Sequence, residues 1–438
     1  MNKRTGFIFI ILTAILAACT AQAAPAPTEL TSLPPTATAQ PTPTARPTAV
    51  PTVTTTPLSP DAQALKDIVF SDCIPVEEGL PEGVEIPWNL LVMQERIVYV
   101  LNLEDGTMTE VEYFSETTPE GYNKFIYEFF VSFDGKWLAY EDASQKHLFV
   151  EPAGSILTNT DADRIRIVWE KSNRFWLRRW VDNDTVLVYY WKSQEDIFAT
   201  TVFLDPFTEQ IHEFSLEELP NHKEFKVGGV GLATNYSVDG ELSPDSTMTR
   251  IIYPEMYQEA IYNTLWDIES KSPLARVRHI VGVYNNPLWM PDERDVILKS
   301  LGKELCEDWF LLTENGIVKQ ITHFSEFVQE HEYHLSRQSR SNNGRFLAFR
   351  FSTYMPNDFA KYIVLDLTAN TLDGFCVSSR PLKDSGDDSP VWSPDSKYFI
   401  VSNIDRYNNG NIIMVDVENE TAYKIGENMK VIGWIEKP

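Results

Sequence analysis

Along most of the chain, short apolar runs recur behind the same kind of polar turn. One unit reads Val391-Trp392, then Ser393-Pro394-Asp395-Ser396-Lys397, then Tyr398-Phe399-Ile400-Val401. After a polar gap come Ile412-Ile413-Met414-Val415-Asp416-Val417, a turn at Glu420-Thr421, and Ala422-Tyr423-Lys424-Ile425. Runs this short, rich in β-branched and aromatic residues and bounded by Pro, Asp, Asn or Gly, predict strands. The unit therefore predicts a strand, a tight turn, a strand, a loop, a strand ending in Asp, a hairpin and a last strand.

The same grammar returns at Val131-Ser132-Phe133-Asp134-Gly135, Trp180-Val181-Asp182-Asn183 and Leu242-Ser243-Pro244-Asp245-Ser246. It returns again at Trp289-Met290-Pro291-Asp292-Glu293 and Ser341-Asn342-Asn343-Gly344. The turn residue falls at 134, 182, 245, 292, 343 and 395, at intervals of 48, 63, 47, 51 and 52. Pro presets φ, Asp and Asn bond the turn backbone, and Gly accepts positive φ. The aromatic residue ahead of the turn is placed to pack between units. Four short strands per repeat, at this period, predict an all-β chain built as a β-propeller.

These repeats resemble the TolB-like propellers, whose pattern is roughly W-S-P-D-G-K-x-I-A-F followed by a strand ending near Asp. The resemblance covers most of residues 90–438 and implies architecture, not activity. Ser246, Glu293 and Ser396 depart from the family's turn glycine. The chain ends look like parts of one blade. Asn89 to Met93, Arg96 to Leu103 and Thr109 to Tyr113 read as its outer strands, and Lys430 to Ile435 as its missing first strand. Joining them gives seven blades and no open ring. Six blades follow if the end segments belong to neighbouring units.

Ahead of the propeller the pattern changes. Lys3 and Arg4 precede an apolar stretch from Phe7 to Leu16, too short to span a bilayer, and then Leu16-Ala17-Ala18-Cys19. This resembles the lipobox of bacterial lipoproteins. It implies a signal peptide over 1–18 and Cys19 as the acylated first residue of an exported, membrane-anchored protein. Residues 19–60 are a Thr-, Pro- and Ala-rich tract with no apolar period, expected to be a disordered but extended linker. At about 3.1 Å per residue it reaches on the order of 130 Å. Residues 61–87 lead into a propeller domain spanning 88–438.

Charge narrows the partners. The chain carries −26, and residues 1–60 contribute +2, which leaves −28 on residues 61–438. So acidic a body repels phosphate backbones, and nucleic acid is not expected as a partner. Export permits disulfides. Of the cysteines beyond Cys19, namely Cys73, Cys306 and Cys376, either two pair or all stay as buried thiols, and spacing does not select the pair.

No nucleophile elbow, zinc helix, Walker loop or dinucleotide fingerprint is present. Gly228-Gly229-Val230-Gly231 lacks the helix and lysine of a phosphate loop. Asp134, Asp245, Asp292 and Asp395 sit in repeat turns and are assigned to structure. Asp384, Asp387 and Asp388 read as an acidic loop. Arg164, Arg166, Arg174, Arg178 and Arg179, among Trp169, Trp176 and Trp180, read as a blade with exposed faces. His331 and His334 read as loop residues. No catalytic, cofactor or metal residue is assigned. The expectation is a monomeric binding scaffold for a protein or envelope polymer. Its competitor is a carbohydrate-active enzyme with carboxylates in the funnel. If Cys19 is acylated, Cys19→Ser releases the protein from the membrane or leaves the precursor uncut. A variant that still partitions with detergent and is processed normally refutes the anchor.

Overall fold

Each polar turn of the repeat closes a hairpin, and the hairpins assemble into seven antiparallel sheets in the computed structural model. It describes residues 57–437 except 96, 112–113, 115–124, 143–146, 157–163, 169–173, 192–199, 215–242, 248, 258–259, 279–286, 302–305, 329–332, 354–359, 370, 380–388 and 405–409. Cys19 and the linker up to residue 56 lie outside the described residues.

A helix, α1 (Pro60–Phe70), and a strand, β1 (Val76–Glu78), precede the ring. The first blade receives β2 (Trp88–Gln94), β3 (Ile97–Leu101) and β4 (Met108–Glu110). The second holds β5 (Phe125–Val131), β6 (Trp137–Asp142), β7 (His147–Pro152) and β8 (Ile165–Val168). The third holds β9 (Arg174–Trp180), β10 (Val186–Trp191), β11 (Thr200–Asp205) and β12 (Gln210–Phe214). The fourth holds β13 (Ser243–Pro244), β14 (Arg250–Tyr257), β15 (Ala260–Asp267) and β16 (Ser272–Arg278). The fifth holds β17 (Leu288–Trp289), β18 (Val296–Leu301), β19 (Glu307–Leu312) and β20 (Val318–Gln320). The sixth holds β21 (Tyr333–Arg340), β22 (Phe346–Thr353), β23 (Ala360–Asp366) and β24 (Asp373–Ser379). The seventh holds β25 (Val391–Trp392), β26 (Tyr398–Ile404), β27 (Gly410–Asp416) and β28 (Thr421–Glu427).

The last strand, β29 (Lys430–Glu436), pairs antiparallel with β2, from Trp88 opposite Glu436 to Met93 opposite Lys430. The sheet order β29-β2-β3-β4 completes the first blade from both ends of the propeller. The chain is a seven-bladed β-propeller. First strands of successive blades touch, β29 with β5, β5 with β9, β21 with β25 and β25 with β29, so they line the centre. Between blades the cores are apolar. Blades 1 and 2 share Leu91, Val98, Phe114, Leu138, Tyr140 and Ile435, and blades 6 and 7 share Phe346, Val364, Trp392, Phe399 and Val415.

The tryptophans ahead of the turns lie between blades, as their place in the repeat demands. The Trp180 indole N–H donates to Phe130 O at 2.7 Å and the Trp434 indole to Val391 O at 2.9 Å, each in the preceding blade. Not every such indole is satisfied, since the Trp392 N–H, also buried, has no partner among the described residues.

The lead-in segment has structure that its sequence did not announce. Ser59 caps α1, accepting the Ala62 N–H at 3.2 Å, with Pro60 beginning the helix. Leu65 and Val69 enter the core that blades 5 and 6 share. A disulfide, Cys73–Cys376, then ties the segment to β24, and Cys306 stays a buried thiol outside any disulfide. Strand β1 adds in parallel to β28 as a fifth strand of blade 7. The outer edges of blades 6 and 7 are thereby covered, which removes two pairing templates.

Removing residues 430–438 strips buried Val431, Trp434 and Ile435 from the ring and leaves β2 without its inner partner. The loss is about 6 kcal/mol or more from apolar burial alone. Thermal unfolding of the truncated chain should be sharply lowered and lose cooperativity, and an unchanged midpoint would contradict closure by this strand.

Candidate functional site

The turns between first and second strands gather at one end of the central channel. Their carboxylates are bound to their own turns. Asp134 Oδ1 accepts from Ser132 Oγ at 2.6 Å and Lys136 N at 3.1 Å. Asp395 repeats this with Ser393 Oγ and Lys397 N, and Asn343 with Ser341 Oγ and Arg345 N. Asp245 takes the Thr249 and Arg250 N–H groups and the hydroxyls of Thr247 and Thr249. Asp292 takes the Arg294 N–H. The structural assignment of these residues follows the expectation.

The residues in place of the turn glycine do something the sequence did not suggest. Asn183 Oδ1 accepts the Asp134 N–H at 2.9 Å. Glu293 Oε2 accepts from the Ser246 N–H at 3.2 Å and from the Ser246 hydroxyl. Ser396 Oγ accepts the Asn343 N–H at 3.0 Å. Each bond joins a blade to the one before it. Glu293 and Ser396 keep the positive φ, 56° and 63°, that glycine would adopt freely. Where glycine remains, space explains it. A Cβ on Gly135 would meet Pro394 and the Trp434 carbonyl, both at 3.1 Å, and φ there is +74°.

Blade 1 has no such turn, because its first strand ends the chain. Asn342 spans that side, its amide donating to Phe133 O at 3.0 Å and Ser393 O at 3.1 Å. One side chain thus links blades 2, 6 and 7.

A cleft of about 540 Å³ opens between blades 4 and 5, lined by Asp245, Arg250, Asp292, Glu293, Arg294 and Glu314 among others. Glu314 holds both arginines, Arg250 at 3.1 Å and Arg294 at 3.4 Å. Burial raises the Glu293 carboxyl, and the charges of Asp182 and Asp245 push it further, against the Ser246 bond.

Nearer the middle of the ring lie arginines. Arg179 and Arg340 belong to the innermost strands of blades 3 and 6. Arg340 Nη1 donates to Ser341 O at 2.9 Å and Asn342 O at 3.4 Å. Burial, and then the nearby Arg179 charge, push the Arg340 guanidinium down to about 10. Of the other arginines in the sequence cluster, Arg164 pairs with Glu151 at 3.1 Å and Arg166 meets the His147 ring at 2.8 Å. Arg178 stacks over Trp176 and Tyr189. The exposed face expected there holds for Arg166 and Val168, whereas Arg164 is largely covered by its pairing with Glu151. The Arg174 side chain and Trp169 lie outside the described residues.

A third polar cluster joins blades 5 and 6. Lys299, only 2% exposed, reaches Leu335 O at 2.6 Å and Glu307 at 3.3 Å. Glu307 also accepts the Leu335 N–H at 2.9 Å and approaches His334 Nδ1 at 3.5 Å. Burial alone would raise the Glu307 carboxyl, yet the His334 hydrogen bond and the Lys299 charge hold it below its ordinary value. His334 therefore belongs to β21, not to a loop, because its neighbours Tyr333 and Leu335 are buried in the blade core. His331, Gly228 to Gly231, Asp384, Asp387 and Asp388 lie outside the described residues. Sequence reasoning missed Lys299, Glu307 and Arg340. Only Arg340 left a signal, since it stands where Trp392 stands in the repeat. Among the described residues, no three His, Cys, Asp or Glu side chains converge to hold a metal ion.

No known family profile matches the chain, and no characterised protein matches it by sequence. Solved structures do resemble it. TolB from Acinetobacter baumannii is 12% identical, covering 80% of this chain and 82% of that one, with a TM-score of 0.39. An oligogalacturonate lyase from Vibrio parahaemolyticus is 11% identical over 77% and 86% of the two chains, with a TM-score of 0.44. The Cps50 (Swd1) propeller domain of Myceliophteria thermophila is 9% identical over 78% and 99%, with a TM-score of 0.38. Similarity this low carries no argument about activity.

Asp308 supplies a pH test of the packing beneath this region. It is fully buried, accepting from Thr322 Oγ1 at 2.9 Å and Phe324 N at 2.8 Å. Burial raises its carboxyl to about 7 despite those bonds. A raised carboxyl stabilises the fold below its unfolded value, and that contribution disappears as pH climbs through the folded one. Stability should thus fall by up to about 4 kcal/mol between pH 4 and pH 7 on this account. Asp308→Asn keeps the acceptor oxygen and should flatten that decline in denaturant titrations. A variant that declines as steeply as the parent would show that Asp308 does not carry it.

Proposed function

We propose that the chain is a membrane-tethered, extracytoplasmic propeller that binds a protein or an envelope polymer. The observation that carries this reading is the engagement of the carboxylates at the turn end of the channel. Asp134, Asp245, Asp292 and Asp395 are held by turn backbone. Glu314 is held by two arginines and Glu293 by Ser246. Acid–base hydrolysis needs two carboxyl groups facing a substrate, and each of these six already accepts from turn backbone, from a serine or from an arginine. What the ring offers instead is a rigid frame, stitched from blade to blade, which suits recognition.

The lead-in segment supports tethering. The Ser59 N–H and hydroxyl donate to Glu326 at 2.9 and 3.0 Å, so the linker joins the body beside blade 5. Acylation at Cys19 and the Pro-rich spacer would then hold the ring away from a membrane.

The competing reading is a carbohydrate-active enzyme with Glu293 as its acid, favoured by that residue's raised carboxyl. The full-length protein, screened against glycans, peptides and esters, should show saturable binding without turnover. Turnover abolished by Glu293→Gln or Glu314→Gln would replace binding with catalysis.

A further inference from the structure

The two sulfurs of the Cys73–Cys376 bond stand in different surroundings. Cys376 is 2% exposed, within the core that blades 5 and 6 share. Cys73 is half-buried, and Asp72 and Pro75 close beside it in the chain are exposed. A thiolate attacks whichever sulfur of a disulfide it can reach, and the other sulfur leaves. The sulfur within reach is that of Cys73, so Cys376 is the one that leaves.

The leaving sulfur has a cation beside it. Lys361 Nζ reaches Cys376 Sγ at 4.0 Å. Lys361 stands opposite Ser378 and Cys376 opposite Ile363, which makes the two diagonal neighbours on β23 and β24. The ammonium is held in place by Val69 O at 2.8 Å and Ser71 O at 2.9 Å. Burial lowers its titration, and the Asp72 carboxylate works against that lowering. A cation so placed favours a thiolate over a thiol, and a more acidic thiol leaves faster. What the bond holds is a strap, residues 73–79, laid on the outer strands of blades 6 and 7. Its further ties include the Ile74 N–H to Cys376 O at 2.9 Å, the pairing of β1 with β28 over three residues, and the Gly79 N–H to Lys424 O at 3.0 Å. So short a pairing is marginal without a covalent anchor.

We propose that Cys73–Cys376 is a redox-labile clamp, opened by a dithiol through attack on Cys73, and that its opening frees the strap. The inference goes beyond the binding reading and does not depend on it. One thiolate of the dithiol attacks Cys73 Sγ and forms a mixed disulfide. The Cys73–Cys376 bond breaks, and its electron pair passes to Cys376 Sγ beside Lys361. The second sulfur of the reductant, as a thiolate, then attacks its own partner in the mixed disulfide and releases Cys73. The dithiol departs as a disulfide, two electrons stay on the cysteines, and the two protons pass to them or to water. The strap then keeps only its noncovalent ties, and lifting it uncovers the outer strands of blades 6 and 7 as pairing edges.

The test uses the full-length oxidised protein without denaturant. Excess glutathione, quenched in acid and mapped by peptide mass spectrometry, should leave its adduct on Cys73 and none on Cys376. An adduct on Cys376, or no reaction at all, overturns the clamp. Reduction by dithiothreitol is then timed by alkylation, with the buried Cys306 staying unlabelled while the fold is intact. Lys361→Met should slow reduction about threefold or more, through the poorer leaving group. Lys361→Arg should keep the parental rate. Were Lys361 only a structural tie, its loss would loosen the strap and speed reduction, so a faster or unchanged rate in Lys361→Met overturns the proposal. In the reduced protein the Ile74 and Gly79 amides should exchange with deuterium about tenfold faster or more, while those of β2 keep their protection. Unchanged exchange at Ile74 overturns the freeing of the strap. If Lys361→Met does not fold, the position of the glutathione adduct and the exchange at Ile74, both read on the parent protein, decide.

Discussion

The structure depends on one pairing, that of β29 with β2. A blade buries neither of its faces alone, so the ring is stable only when every blade has two neighbours. Without β29, the first blade would lack the strand carrying Trp434, whose ring lies against Tyr398 and whose N–H reaches Val391 O in blade 7. The same strand packs Ile435 into the core shared with blade 2. The C-terminal strand therefore holds both sides of the junction at once, and joins the first and last parts of the propeller by backbone hydrogen bonds rather than by side chains alone.

That closure has a consequence for the turns. A strand that ends the chain cannot turn into the next one, so six turns, not seven, ring the end of the channel. Asn342 and the close approach of Gly135 to Pro394 take up the vacant place. Elsewhere, non-glycine residues at the turn carry cross-blade bonds. Positive φ costs a non-glycine residue on the order of 1 kcal/mol, and a hydrogen bond to a charged group returns a similar amount. Glu293 thus ties blade 5 to blade 4 while still lining the cleft between them.

The lead-in segment is a second closure, on the outer rim. Lys361 Nζ donates to Val69 O at 2.8 Å and Ser71 O at 2.9 Å, just past the buried face of α1. Together with the Cys73–Cys376 bond, this fixes residues that are more than 280 positions apart in the chain. A disulfide across so long a loop removes much conformational freedom from the unfolded chain.

The repeat alone determined the strands and the turns of the blades, because those rest on local chemistry, but it left six or seven blades open, and the pairing of β29 with β2 decided for seven. A Ser-Pro-Asp turn binds its own backbone wherever it occurs, and an apolar run of fixed length has one sheet to enter. The structural role of Asp134, Asp245, Asp292 and Asp395 was legible for the same reason. The disulfide partner of Cys73 was not legible, since Cys306 and Cys376 are equivalent in sequence and only the path of residues 71–78 across blades 6 and 7 separates them. His334 read as a loop residue because its strand is polar on the channel side, where no apolar alternation is needed. The meeting of Lys299 and Glu307 with His334 and Leu335 was settled by tertiary structure, because it joins a hairpin of blade 5 to the first strand of blade 6. No local pattern records which side chains two packed blades will turn toward one another.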